Sequence, residues 1–290
     1  FLYTYQKFRE EIETPIVVNK DENKMERLQR MIRPFILRRL KGDVLKDLPE
    51  KLEENVYAKM EGEQLALYDA HVQQMKQMLD GKSEAEFKSN KIQILAELTK
   101  LRQLCCDPAL VYENYEGGSA KLDLCIELIQ SAVESGHKIL LFSQFTSMIE
   151  ILTARLQEES ISCFVLQGST KKEQRAQMVE QFNRDDTSVF CISLKAGGTG
   201  LNLTGADIVI HYDPWWNVAV ENQATDRAHR IGQKNVVTVY KLIAKGTIEE
   251  KIIKLQQMKK ELAEEILSGD EIKTASFQRE ELLELLEERF

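Results

Sequence analysis

The sequence predicts an α/β fold in which helices flank an open parallel sheet, with a mainly helical segment before the sheet and further helices after it. From Lys121 onward, short apolar runs alternate with amphipathic helical patterns. A helix between successive strands gives right-handed crossovers, and these produce a parallel sheet covered on both faces. The 290 residues can bury a sizeable core and suggest one large domain or two smaller ones.

The central part of the chain, 121–248, is expected to carry the sheet. Short, mostly apolar runs between turn signals predict buried strands. We expect strands at 139–142, 163–166, 189–193, 208–211 and 236–242. Apolar residues at helical spacing predict helices at 122–133, 148–156 and 171–182.

The flanking parts are expected to be mainly helical. Helical periodicity in the first 120 residues covers 24–31, 63–79 and 85–104, with one extended piece over 54–60. An amphipathic pattern after Thr247 predicts a long helix to about residue 267. The acidic, leucine-rich end leaves a plain terminal helix and a partner-docking role equally open. We therefore divide the chain into 1–120, 121–248 and 249–290.

The composition excludes several classes of protein. The five cysteines are odd in number and form no Cys-x-x-Cys pair, which argues against a disulfide framework and a zinc site. No apolar run approaches the roughly 20 residues that cross a bilayer, and no signal peptide is visible. We therefore expect no membrane partner and a reducing, aqueous compartment, meaning bacterial cytoplasm or a eukaryotic nucleus or cytosol. Because residue 1 is Phe, we also expect an excised fragment or a processed product.

The net charge of −8 at first argues against a nucleic-acid partner, since nucleic-acid-binding domains usually carry a basic excess. The acid is concentrated at the carboxyl end, where 249–290 hold 12 acidic and 7 basic residues. A solvated acidic tail is compatible with a basic groove elsewhere. The charge therefore leaves a DNA partner open. The four histidines show no spacing suited to a metal.

An arginine pair is the strongest chemical signal. The segment 219–230 lacks Gly and Pro and predicts a helix, so Arg227 and Arg230, three residues apart, are expected on one face. Planar, permanently charged guanidinium groups match phosphate oxygens and stabilise charge on a transferring phosphoryl group. Such a pair can also serve only to keep an exposed helix soluble. The neighbouring residues of the sequence help to distinguish these two roles.

Those surroundings resemble motif VI of the superfamily 2 helicase-like ATPases, since Gln223, Arg227 and Arg230 match its Gln-x-x-x-Arg-x-x-Arg pattern. The runs Asp-Pro-Trp-Trp-Asn at 213–217 and His-Arg-Ile-Gly-Gln at 229–233 narrow the resemblance to the SWI/SNF-type branch, whose members translocate on double-stranded DNA. The resemblance implies a RecA-like sheet, arginine fingers with Gln223 beside them, and a brace helix after Thr247. Val218 departs from the proline common in this family. Proline there mostly preorganises the turn, so we still expect activity.

The glycine-rich stretch 193–203 follows a predicted strand and resembles motif V. Glycine lets backbone amides approach phosphate oxygens closely, although many such stretches are only turns. By resemblance, the nucleotide is sensed through Gly198, Thr199 and Gly200, with Asp207 closing the same region. Contacts to the DNA backbone are expected from Lys195, Ala196, Gly197 and Asn202.

Two further loops are expected on DNA. Residues 142–145 resemble motif IV, and 167–170 resemble motif IVa. Ser169 and Thr170 precede a predicted helix, where hydroxyls either cap the first amides or leave them facing a phosphate, and both roles stay open. Gln144 and Trp215 complete the predicted DNA contacts, with one of the two adjacent tryptophans expected in the core.

The sequence lacks the other half of an ATP site. A P-loop needs Gly-x-x-x-x-Gly-Lys-Ser/Thr after a strand. The only Gly-Lys-Ser, at 81–83, has Lys76 in place of the first glycine and follows a helical pattern. We therefore expect ATP and Mg²⁺ to be held mainly by an N-terminal RecA-like lobe of the same polypeptide. Alone, this chain should bind neither, lack ATPase activity and bind DNA weakly.

The resemblance implies the second motor lobe of an ATP-dependent translocase or remodeller acting on double-stranded DNA. Its target stays open among a nucleosome, RNA polymerase and another nucleoprotein complex. Two alternatives stay open, the C-terminal lobe of an RNA helicase and a non-catalytic RecA-like interaction module. The tryptophan pair and the Ile-Gly-Gln ending weigh against the first alternative. The intact arginine pair weighs against the second.

Overall fold

A computed structural model describes residues 4–17, 21–35, 48–79, 91–194, 196 and 201–268. The strands are β1 (Lys51–Ala58), β2 (Ile139–Ser143), β3 (Cys163–Leu166), β4 (Val189–Ser193), β5 (Ile208–His211) and β6 (Val237–Ala244). The first five helices are α1 (Tyr5–Phe8), α2 (Thr14–Val17), α3 (Glu22–Ile32), α4 (Gly62–Leu79) and α5 (Lys91–Cys106). Those that follow are α6 (Ala120–Glu134), α7 (Thr146–Glu158), α8 (Lys172–Arg184), α9 (Val218–Thr225) and α10 (Ile248–Ser268). A π-helical turn at Arg9–Glu13 joins α1 to α2, and 3₁₀ turns lie at Arg33–Phe35 and Pro108–Leu110.

All six strands form one parallel sheet in the order β1-β6-β5-β2-β4-β3. The connections from β2 to β3 and from β3 to β4 each contain one helix, α7 and α8 respectively, as parallel pairing requires. The predicted α/β fold with an open parallel sheet is therefore confirmed. Because all strands run the same way, their carboxyl ends share one edge of the sheet, where ligands bind in folds of this kind.

The central strands β2, β4 and β5 are buried on both faces, and β2 and β4 divide their side chains between two cores. In β2, Leu141 packs into the core beneath α6 and α7, whereas Phe142 packs into the core on the opposite face. In β4, Cys191 and Phe190 divide in the same way. This alternation follows from the two-residue period of a strand. It explains why these strands are apolar throughout instead of alternating with polar residues.

The extended piece expected at 54–60 is the edge strand β1, which pairs with β6 from Lys51↔Val237 to Ala58↔Ala244. A segment that precedes residue 120 thus belongs to the same sheet as the central strands. The division of the chain into three parts stays a prediction, and β1 shows that the first part contributes to the sheet of the second.

A third core joins the amino-terminal helices to the sheet. Met75 and Leu79 of α4 pack with Leu101 and Leu104 of α5. Ile248, the first residue of α10, closes this core. The helix predicted at 85–104 is observed from Lys91 to Cys106, and 80–90 lie outside the described residues.

A buried ion pair fixes the start of α10. Lys121 Nζ lies 2.6 and 2.5 Å from the two carboxylate oxygens of Glu249, and both side chains are 0% exposed. Glu249 Oε2 also accepts a hydrogen bond from the Ala244 amide at 2.8 Å. Burial raises the pKa of Glu249, and the Lys121 charge opposes this shift. The pair thus ties the first turns of α6 and α10 to the end of β6.

Within the described ranges, no helix has the length and apolar character needed to cross a membrane.

Candidate functional site

Two loops meet at the carboxyl edge of the sheet, one after β2 and one after the neighbouring strand β5. Asp213 joins them, because its carboxylate accepts the Gln144 amide at 3.1 and 3.3 Å and lies 3.4 Å from Ser143 Oγ. Burial raises the pKa of Asp213, against which the Arg102 charge acts. Asp213 therefore sets the backbone position of Gln144, a predicted DNA contact.

The loop formed by residues 213–217, termed here the tryptophan loop, is half-buried. Both tryptophans are partly exposed, and Trp215 packs against the core that contains Phe142, as expected for one of the pair. The Arg102 guanidinium carbon lies 5.4 and 5.6 Å from the ring centroids of Trp215 and Trp216, within cation–π range. Arg102 Nη2 also donates to the Pro214 carbonyl at 2.7 Å. The Arg102 side chain of α5 thus holds the tryptophan loop in place.

The hydroxyl pair expected before α8 does not cap that helix. The N-cap position is Lys171, without a side-chain cap. Thr170 Oγ1 instead accepts the Gln167 amide at 3.0 Å, while Ser169 is exposed. The predicted capping role is therefore wrong, because the Thr170 hydroxyl bonds to the Gln167 amide within the loop instead of to an amide of α8. A phosphate contact for both residues stays a prediction.

The glycine-rich stretch is only partly described. Lys195, Gly197, Gly198, Thr199 and Gly200 lie outside the described residues. Ala196, which lies among them, is buried, and Asn202, which follows them, is exposed. The Asn202 carbonyl accepts from Asn183 Nδ2 at 2.8 Å, which fixes the chain beyond the glycines.

The helix expected over 219–230 is shorter than predicted, because α9 ends at Thr225 and turns follow it. Tertiary hydrogen bonds override the helical pattern at this point. Thr225 Oγ1 is 2.9 Å from Nε2 of the buried His211. Gln233 Nε2 donates to the carbonyls of Ala206 and Ala228 at 2.7 and 3.2 Å. The Gln233 contacts hold the chain after Thr225 close to Ala206, just before β5, so the arginine pair does not lie on one helical face.

The two arginines nevertheless remain neighbours and differ in burial. Burial lowers the pKa of Arg227, which is 7% exposed, and the Arg230 charge acts in the same direction. Arg230 is partly exposed, and its Nη1 donates to the Leu201 carbonyl at 3.0 Å. The Leu203 amide donates to the Arg227 carbonyl, also at 3.0 Å. Residues 226–230, termed here the arginine turn, are thus hydrogen-bonded to the carboxyl-terminal end of the glycine-rich stretch.

The remaining predicted nucleotide residues lie apart from the tryptophan loop. Asp207 precedes β5, at the amino edge of the sheet, where its Oδ2 is 3.0 Å from both His137 Nδ1 and Asn235 Nδ2. Gln223 is exposed on α9. The structure therefore gathers the predicted residues into two groups, with Gln144 and Trp215 at the carboxyl edge and the arginine turn near the amino edge. Their roles stay predictions.

Three side chains that brace this region carried no signal in the sequence. Arg102 reaches the loop from α5, Glu221 from α9 and Gln256 from α10. Arg102 and Pro214 are 112 positions apart, so no local pattern links them. In the described part of the chain, no group of three His, Cys, Asp or Glu side chains is arranged to hold a metal ion.

Comparisons with known proteins agree with this architecture. The family model "Helicase conserved C-terminal domain" matches residues 120–232, and the model "SNF2-related domain" matches 1–110. An uncharacterized ATP-dependent helicase of Mycoplasma pneumoniae is 40% identical over 99% of this chain. A human SWI/SNF-related regulator of chromatin, subfamily A member 1, is 33% identical over 92% of this chain. The chain spans 27% of the length of each of these two relatives.

Two solved structures from Sulfolobus solfataricus match as well. The SWI2/SNF2 ATPase C-terminal domain is 33% identical, with a TM-score of 0.65, covering 82% of this chain and 99% of that one. The SWI2/SNF2 ATPase core in complex with double-stranded DNA is 36% identical, with the same TM-score of 0.65, covering 93% of this chain and 57% of that one. The sheet is accordingly RecA-like, and the chain belongs to the SWI/SNF-type family of helicase-like ATPases.

Proposed function

We propose that this chain is the second motor lobe of an ATP-dependent translocase on double-stranded DNA. One observation carries the proposal: the arginine turn is hydrogen-bonded to residues 201–203, the carboxyl-terminal end of the glycine-rich stretch. A shift of Arg227 and Arg230 toward a phosphate would therefore move the stretch expected on the DNA backbone. This connection links the nucleotide side of the lobe to its DNA side.

The described residues suit contact with the phosphates of a nucleotide, and we assign no other part of the nucleotide to them. A guanidinium fork matches phosphate oxygens, and no carboxylate in the described part of the chain forms an ion pair with Arg230. No described cluster suits Mg²⁺, so we assign the metal and the P-loop to a preceding lobe. ATP bound between the lobes would supply the phosphoryl group, and Arg230 would stabilise the negative charge that develops during its transfer.

On the DNA side, Gln144, Ser169 and Trp215 would contact the duplex at the carboxyl edge of the sheet. The Sulfolobus structure was solved with double-stranded DNA, which supports a duplex over a single strand. Closing and reopening of the cleft between the lobes would then shift these contacts along the DNA. We place the whole protein with chromosomal DNA and its bound complexes.

The test uses this chain joined to its native upstream sequence, with ATP hydrolysis measured without nucleic acid, with duplex DNA and with duplex RNA. The proposal expects stimulation by duplex DNA alone. Stimulation by RNA in place of DNA would identify an RNA helicase lobe. Hydrolysis that no nucleic acid changes would reject a motor role.

A further inference from the structure

The backbone of the tryptophan loop is held at three consecutive polar groups by side chains from three different helices. Arg102 of α5 donates to the Pro214 carbonyl. The Trp215 amide donates to Glu221 Oε1 of α9 at 2.6 Å. The Trp215 carbonyl accepts from Gln256 Nε2 of α10. Side-chain bonds to the main chain at this density define one loop conformation, because each buried group loses its partner if the loop moves.

Gln256 closes this arrangement. The same amide nitrogen that reaches the Trp215 carbonyl also donates to Glu221 Oε1 at 2.8 Å. Glu221 is 1% exposed, and its second oxygen lies 3.5 Å from Lys241 Nζ. A buried carboxylate needs its donors, since removing one leaves charge without compensation. Gln256 therefore stabilises both the loop and the carboxylate that holds it.

The helix that carries Gln256 is fixed at its start. Glu249, in the first turn of α10, makes the buried ion pair with Lys121. Gln256 follows seven positions later, two helical turns along the same face. The ion pair thus sets the position of α10, and α10 sets the position of the glutamine amide at the loop.

We propose that Gln256 is a positioning residue through which α10 holds the tryptophan loop in its DNA-contacting conformation. The helix and the loop then move as one unit, and any displacement of α10 changes the presentation of Trp215. The consequence for DNA rests on the proposed function, whereas the mechanical link between helix and loop does not.

The first test is hydrogen exchange of this chain without DNA, followed over residues 212–220. In Gln256→Leu, which removes both donated bonds at similar volume, these amides should exchange about tenfold faster. Gln256→Lys keeps a donor and should restore slow exchange. The matched control is Gln257→Leu, at the exposed neighbouring position on the same helix, and it should change nothing in the loop.

Three results would overturn the proposal. Exchange in Gln256→Leu could stay at the original rate, Gln256→Lys could open the loop as far as Gln256→Leu, or the loop could open only when protection of β5 and α10 is also lost. The third result would make Gln256 a plain structural residue. As a spectroscopic readout, the indole emission of Gln256→Leu should shift to the red, because the chain contains only two tryptophans and both are in this loop.

The second test measures the duplex DNA concentration for half-maximal ATP hydrolysis, with this chain joined to its upstream lobe. This concentration should rise about tenfold in Gln256→Leu and return in Gln256→Lys, as expected when a binding contact is no longer preorganised. Unchanged values in Gln256→Leu would overturn the DNA consequence. If the unsubstituted protein shows no DNA stimulation at all, the proposed function fails, and the exchange result still decides the positioning role.

Discussion

At the scale of single residues, the candidate site depends on polar groups that are buried and committed to partners. His211 is an example, because it is buried at the end of β5, stacks on Phe142 at 5.6 Å between ring centroids and contacts Thr225. Burial lowers its pKa from 6.5 to about 3, and the Lys241 charge acts in the same direction. The folded protein therefore keeps this imidazole neutral where the unfolded chain takes up a proton.

This shift predicts an acid sensitivity with a defined sign. Above pH 6.5 His211 is neutral in both states and stability does not change with its titration. Between pH 6.5 and 3 only the unfolded state binds the proton, so the free energy of unfolding should fall by at most about 1.4 kcal/mol per pH unit from this residue. Urea unfolding at pH 7.5 and 5.5 should show a smaller loss for His211→Gln. Equal losses in both proteins would contradict the buried neutral assignment.

Gln233 gives a second prediction at this scale. Its amide nitrogen donates to two carbonyls and its oxygen accepts the Lys234 and Asn235 amides at 2.8 and 3.0 Å. Because Gln233→Leu leaves these buried groups unpaired, we expect a loss of about 2–4 kcal/mol in the free energy of unfolding. The exposed neighbour serves as control, with Lys234→Ala expected within about 0.5 kcal/mol. A Gln233→Leu loss as small as the control's would remove Gln233 from the account of the arginine turn.

At the scale of elements, the sequence predicted what local periodicity encodes. β3, β4 and β5 lie where short apolar runs placed them, because β4 and β5 are buried on both faces and β3, at the edge of the sheet, is half-buried. The partner of β1 could not be predicted, since the paired residues of β6, such as Val237 opposite Lys51, are 186 positions away along the chain. The end of α9 was mispredicted because the bonds of Thr225 and Gln233 are tertiary. The division of the predicted site residues into two groups could not be predicted either, because spacing along the chain does not determine at which edge of the sheet a residue lies.

The attachment of α10 can be tested through its ion pair. Lys121→Met and Glu249→Leu alone should each cost about 3–5 kcal/mol, because each leaves a buried charge unpaired. The double variant should cost far less than the two losses combined. As a matched pair on the surface, Arg184 and Glu180 lie 2.8 Å apart at 77% and 62% exposure, and their coupling should stay below about 1 kcal/mol. Additive losses at Lys121 and Glu249 would show that the pair does not hold the helix.

At the scale of the whole molecule, we propose that the lobe supplies the arginine side of an ATP site whose P-loop belongs to another lobe, together with contacts to DNA. The 290-residue chain alone should therefore show ATP hydrolysis indistinguishable from buffer, with or without DNA, in a phosphate-release assay. Its binding to duplex DNA should be weak and should fall with salt, with a log–log slope of about −0.9 for each phosphate contacted. Turnover by the isolated chain would contradict the assignment of the P-loop to another lobe.

The most direct test of the central claim is DNA-stimulated ATP hydrolysis by Arg230→Ala, in this chain joined to its upstream lobe. We predict a fall of roughly 1,000-fold, since an arginine that stabilises phosphoryl transfer is worth about that much or more. Arg184→Ala, a substitution of the exposed arginine on α8, should leave the stimulated rate unchanged. Stimulated hydrolysis in Arg230→Ala equal to that of Arg184→Ala would contradict the account.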